Sequence, residues 1–255
     1  MRWPATICTC VCLLSVALAP PAHAVAPVPV TFGASWDGPG YDLQHIVDQY
    51  LGIPGAINVH TDYMGAHAGD IDPWFWVGRS VGALMITEIA GNANNNVLGW
   101  YEETGVKPVI DGVNDGVIFS GAQGAGSTAL LTFPGGLIKF GFWMNPNGPY
   151  DAPGAPEPEL FFTNRFYNDI GPDGSGAVHP PVDGDVQALV FDVSKWKGPN
   201  TWLVCFEDTD SGLPVTPCCS GTDDDYNDMV FQVSAMGATP TRQLTFGALK
   251  SMFRH

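Results

Sequence analysis

Apolar and polar positions change their period once along this chain. Between Asp42 and Leu51 the apolar residues fall at 43, 46, 47, 50 and 51. That spacing gathers them on one face of an α-helix. Asp42 offers an N-cap oxygen, and Gly52 and Pro54 mark the stop. Beyond this helix the apolar residues come in short runs: Ala83–Ile89, Val97–Tyr101, Gly116–Phe119, Ser127–Phe133, Leu137–Trp143, Glu159–Phe162, Val186–Val193, Trp202–Glu207 and Met229–Val233. Gly, Pro, Asn and Asp clusters such as Asn92–Asn96, Asp111–Gly116 and Asn145–Gly154 separate them. Short strands with no helices between them predict an all-β fold, a single two-sheet β-sandwich of jelly-roll type with one short N-terminal helix.

The two ends differ from this body. Met1-Arg2, the mostly apolar stretch Ala5–Ala19 and the A-x-A site Ala22-His23-Ala24 read as a signal peptide over residues 1–24. The protein is therefore expected to be secreted. No later stretch reaches the roughly 18 apolar residues of a membrane span. Residues 25–41 are a Pro- and Gly-rich extended lead-in, 42–237 the sandwich domain and 238–255 a tail. The tail carries Arg242, Lys250 and Arg254 and no acid, and is a candidate sorting signal.

Composition narrows the function classes. Gly and Pro number 31 and 22 of 255 residues, against a helix-rich fold, and a 45% hydrophobic share excludes wholesale disorder. The formal charge is −16, and removing residues 1–24 leaves 231 residues at −17. Such a chain repels nucleic acid and anionic membrane and attracts cations. Export also removes Cys8, Cys10 and Cys12, leaving Cys205, Cys218 and Cys219. In an oxidising compartment these predict one disulfide, from Cys205 to Cys218 or Cys219, with one thiol left over. Closing that loop is worth about 3 kcal/mol on the chain-entropy estimate. The cluster offers too few N and S ligands for zinc.

Acid is concentrated in two segments, Glu207-Asp208 with Asp210, and Asp223-Asp224-Asp225-Tyr226-Asn227-Asp228. No Lys or Arg lies between Lys197 and Arg242 to neutralise them. A hard divalent cation with oxygen ligands answers that repulsion, and calcium suits a flexible set of six to eight oxygens. Asp223, Asp225 and Asn227 occupy positions 1, 3 and 5 of an EF-hand-like loop, but position 6 is Asp228 and position 12 is Ser234. The EF-hand is rejected. What remains is a loop-borne Ca2+ site with Glu207, Asp208, Asp223, Asp225, Asn227 and Asp228 as ligands. The Cys205 bridge would hold its two segments together.

The stretch Phe206-Glu207-Asp208, followed by Asp223-Asp224-Asp225-Tyr226-Asn227-Asp228-Met229-Val230-Phe231, resembles the "FED…DxDYND-V-F" ending of the bacterial secreted family called domain of unknown function 4114. Leu137–Asn147, Phe161–Asn168, Leu43–Val47, Asn58–Asp62 and Glu88–Gly91 resemble other parts of it, so the likeness spans roughly residues 42–234. Asp224 falls at a more variable position, and the Leu213–Ser220 insert with its two cysteines departs from the pattern. The resemblance implies a surface-anchored exoprotein; taken with the candidate calcium site, the chain is expected to be a cell-surface or extracellular-matrix binding or adhesion module, with an extracellular polysaccharide or cell-surface component as partner.

Two alternatives are a carbohydrate-binding module and a carboxylate-based glycoside hydrolase. For the first, Trp74 and Trp76 are the glycan-binding candidates, because three consecutive aromatics, Trp74-Phe75-Trp76, cannot all face inward on a strand. For the second, Glu207 and Asp228 are the acid–base pair. Nothing in the sequence sets their environments apart, and none of His45, His60, His67, His179 and His255 neighbours a nucleophile. There is no G-x-S-x-G, H-E-x-x-H or Walker pattern, so no catalytic residue is assigned.

Overall fold

The structure, a computed structural model, describes residues 30–67, 70, 75–88, 95–121, 123–133, 138–146, 160–168, 186–209, 223–235 and 239–240. The expected signal peptide, the tail beyond Pro240, Trp74, Cys218 and Cys219 lie outside the described residues.

Helix α1 spans Leu43–Leu51, as its spacing predicts. The Asp42 carboxylate accepts the His45 N–H, and Gly52 closes the helix in the left-handed region at φ 72°. Among the described residues eleven strands follow, together with a short helix α2 at Ser194–Lys197. They are β1 (Trp76–Gly78), β2 (Ser80–Glu88), β3 (Val97–Glu102), β4 (Asp115–Phe119), β5 (Thr128–Thr132), β6 (Ile138–Asn145), β7 (Phe161–Phe162), β8 (Ala188–Asp192), β9 (Thr201–Phe206), β10 (Met229–Ala235) and β11 (Thr239–Pro240). Each of the nine apolar runs contains a strand; β1, β11 and α2 are additions. Among the described residues no helix is long and apolar enough to cross a membrane.

The strands form two antiparallel sheets, a two-sheet β-sandwich. One runs β11-β1-β6-β3-β4 with β7 also on β6, and the other runs β5-β2-β10-β9-β8. Between them lies an aromatic core in which Trp76, Phe140, Phe142, Trp202, Phe206 and Phe231 are wholly buried. The Phe142 and Phe231 rings meet across the sheets at 5.2 Å, edge to face.

The outer face of the second sheet is covered as well. Leu43, Ile46, Val47 and Leu51 of α1 pack on Leu189, Phe191, Leu203, Cys205 and Val230. Strand β9 is consequently buried at every position, so Thr-Trp-Leu-Val-Cys-Phe reads as a continuous run rather than an alternation. On the outer face of the first sheet, Trp143 and Tyr101 pack flat against Gly99 and Gly141. A Cβ at Gly99 would stand 2.1 Å from Trp143 Cε2, so only glycine fits.

Two expectations are corrected here. Trp76 is wholly buried, its ring stacked on Phe140 at 6.2 Å, so it presents no face to a sugar. The inner face of β1 claims it. Cys205 carries a free, buried thiol rather than a disulfide. Strand alternation turns it into the apolar layer under α1, and that burial raises its pKa well above the ordinary thiol value.

Candidate metal centre

Strand register places the acids at one end of the second sheet. Met229, the first residue of β10, pairs with Phe206 at the end of β9 and with Glu88 at the end of β2. The next residue of β9 is Glu207, and the residue before β10 is Asp228. The two acidic segments are therefore joined by backbone pairing, with no need of a covalent link.

The Asp223–Asp228 loop has an uncommon backbone. Asp224 and Tyr226 both sit in the left-handed region, at φ 47° and 56°. Such conformations in non-glycine residues cost on the order of 1–3 kcal/mol each and persist where surrounding contacts hold them. Here the Tyr226 ring packs 5.6 Å from Phe32 and its hydroxyl donates to the Val186 carbonyl at 2.9 Å. The fold of the loop brings the Asp225 and Tyr226 N–H groups together on Glu207 Oε2, at 3.0 and 3.2 Å. Glu207 Oε1 accepts from the Thr209 hydroxyl at 2.6 Å.

The lead-in residues 33–41 clamp the same loop. The Trp36 N–H donates to Asp223 Oδ2 at 2.9 Å, and the Gly33 N–H to the Asp224 carbonyl at 3.2 Å. Asn227 Nδ2 donates to the Tyr41 carbonyl at 2.7 Å, to Ser35 Oγ at 3.1 Å and to Asp225 Oδ2 at 2.7 Å. Its backbone N–H reaches Asp225 Oδ1 at 3.1 Å. The Asp208 N–H donates to Asp228 Oδ2 at 2.8 Å.

All six expected ligands are gathered and buried. Two sets of three carboxylates bring one oxygen each within 4.8 Å of one another: Glu207 with Asp223 and Asp225, and Glu207 with Asp208 and Asp228. Oxygens on one calcium ion at 2.3–2.6 Å lie at most about 5 Å apart, so each set is compact enough for an ion. Asn227 supplies a further donor. It is fully buried, and its Oδ1 has no hydrogen-bond partner.

The electrostatics conflict with the hydrogen bonding. Every contact named above to these carboxylates is an N–H or O–H donor, the arrangement that suits an ionised carboxylate. Yet burial, and then the charges of Asp223 and Asp225, push Glu207 up to about 8 against the favourable Thr209 bond. Burial pushes Asp225 up to about 7, and Asp223 upward, against the bonds from Ser35 and Trp36. Asp228 is raised by burial first, then by Glu207, Asp208 and Asp225. Among the described residues, the charged neighbours acting on these four are carboxylates, Asp37 among them. The donors call for anions and the surroundings oppose them; a divalent cation among the oxygens would reconcile the two.

Sequence reading missed two acids here. Glu88 ends β2 beside Met229, and it is pushed up to about 7 by burial and then by the charge of Asp208. Asp37 acts on Asp223 and Asp225 from the lead-in. Neither stands in an acidic run, so no local signal marks them. No family model matches this chain, and no curated protein or solved structure matches it.

Proposed function

We propose that this protein is an exported calcium-binding β-sandwich module whose ion stabilises the fold, and that it serves binding or adhesion at a cell surface or in an extracellular matrix. One observation carries the calcium reading: a buried set of carboxylates that accept hydrogen bonds from N–H and O–H donors, with carboxylates as their charged neighbours among the described residues. The free Asn227 Oδ1 supports it. Oxygen donors with no Cys or His among them suit a hard cation. The ion would join the end of β9, the start of β10 and the lead-in, so binding would be linked to folding. The leader-like residues 1–24 and the resemblance to surface-anchored bacterial proteins support a place outside the cell.

A thermal melt tests this. Calcium at 100 times its dissociation constant should add about 2.7 kcal/mol, several degrees for a domain of this size. Asp223→Ala combined with Asp225→Ala should abolish that shift. An unchanged melt in the native protein, together with no measurable calcium uptake, overturns the proposal.

A further inference from the structure

We propose that this protein pairs with a second copy of itself through the open edge of β5, strand against strand, about a two-fold axis at Leu130. The inference stands apart from the calcium reading. Strand β5 ends the second sheet and has β2 on one side only. The Phe133 N–H donates to the Arg79 carbonyl, and the Ser127 carbonyl accepts from the Met85 N–H, each at 2.9 Å. Residues 127, 129, 131 and 133 therefore turn their backbone groups to β2, and Thr128, Leu130 and Thr132 turn theirs to the open side. Among the described residues nothing takes up those outward N–H and C=O groups. The side chains of the same three residues are exposed, Leu130 to 75%. Its neighbour on β2 is Gly82, which has no side chain to cover it.

Sheet edges are ordinarily guarded by charge, proline, a bulge or a covering segment. Here β11 ends in Pro240, and β4 opens with Asp115 and bulges at Ile118. At β8 the Val190 carbonyl accepts the Met64 N–H at 2.9 Å. At β7 the Asn168 side chain caps both backbone groups of Phe162, at 2.7 and 2.8 Å. Strand β5, Thr-Ala-Leu-Leu-Thr, has no charge, no proline and no register shift. Two features make a second copy the occupant. The formal charge of −16 makes copies repel one another, yet Gly116–Ile138 holds no Asp, Glu, Lys, Arg or His, so they can approach there. The strand is also complementary to itself. Antiparallel pairing centred on Leu130 sets that residue opposite its own counterpart and Thr128 opposite the partner's Thr132. Each such pair exchanges both N–H···O=C bonds, so every outward group on both strands is used. The contact consumes the edge on both copies and closes at a dimer.

Pairing of one short strand is a small contact and associates weakly, so sedimentation velocity is run from about 1 μM to 1 mM protein. The native protein is expected to pass from monomer to dimer with concentration. Leu130→Lys, which sets two like charges at the centre of the pair, is expected to stay monomeric with an unchanged melt. Register is read by cross-linking. Opposed residues in such a pair have Cα atoms about 5.5 Å apart, within disulfide reach, so Leu130→Cys should give a linked dimer under mild oxidation. Thr128→Cys should not link to itself but should link when mixed with Thr132→Cys. The native protein, oxidised alongside, gives the background from its own cysteines. A monomer throughout the concentration range overturns the inference, and so does a native dimer that Leu130→Lys leaves intact. Failure of Leu130→Cys to link, or linkage of Thr128→Cys to itself, overturns the two-fold pairing.

Discussion

Stripping divalent ions from this protein leaves its buried carboxylates with hydrogen-bond donors but no compensating charge, and the consequence is measurable against pH. Glu207 has an ordinary value of 4.5 and is pushed up to about 8 in the fold. Below 4.5 it is protonated in both folded and unfolded chains, and its contribution to stability is fully present. As the pH rises past 4.5 the unfolded chain ionises while the folded chain keeps its proton. The unfolded state then binds fewer protons and gains on the folded one. The loss is complete once the pH passes 8. At about 1.4 kcal/mol per pH unit, Glu207 alone accounts for roughly 5 kcal/mol, a large part of the 5–15 kcal/mol typical of a domain. Asp225, raised to about 7, acts in the same direction. The two repel each other, so their effects combine to less than their sum. Urea midpoints at pH 5, 6, 7 and 8 on EDTA-dialysed protein should fall steadily, and millimolar calcium should flatten the series. A metal-free midpoint that stays level or rises over this range refutes the reasoning, because the carboxylates would then already be ionised in the fold.

Two further outcomes follow from the packing. Gly99→Ala places a methyl 2.1 Å from the Trp143 ring, and overpacking of this kind costs about 1–3 kcal/mol, readable as a lowered urea midpoint with calcium present. Cys205, buried and with its thiol pKa raised, should resist iodoacetamide in the native protein and label in denaturant, as peptide mass mapping would show. Labelling at equal rates in both states would contradict the placement of β9 beneath α1.

Local features of the chain are legible because the forces behind them are local. Helix α1 needs only its apolar spacing, the Asp42 cap and the Gly52 stop, all within eleven residues. The Asp223–Asp228 run stands out as a candidate cation site because repulsion between neighbouring carboxylates needs no fold to exist. The sandwich itself follows from short apolar runs broken by turn residues. What tertiary structure decided is which face each strand turns where. Trp76 reads as exposed among three aromatics, yet the pairing of β1 with β6 sets it in the core. Cys205 reads as a disulfide partner, yet α1 packs over the face of β9 on which it lies. Glu88 and Asp37 stand far along the chain from the acidic run, and only the β2–β10 register and the docking of the lead-in carry them to it. Sequence proximity brought part of the centre together; the rest depends on contacts between distant segments, which form only when the whole sandwich closes.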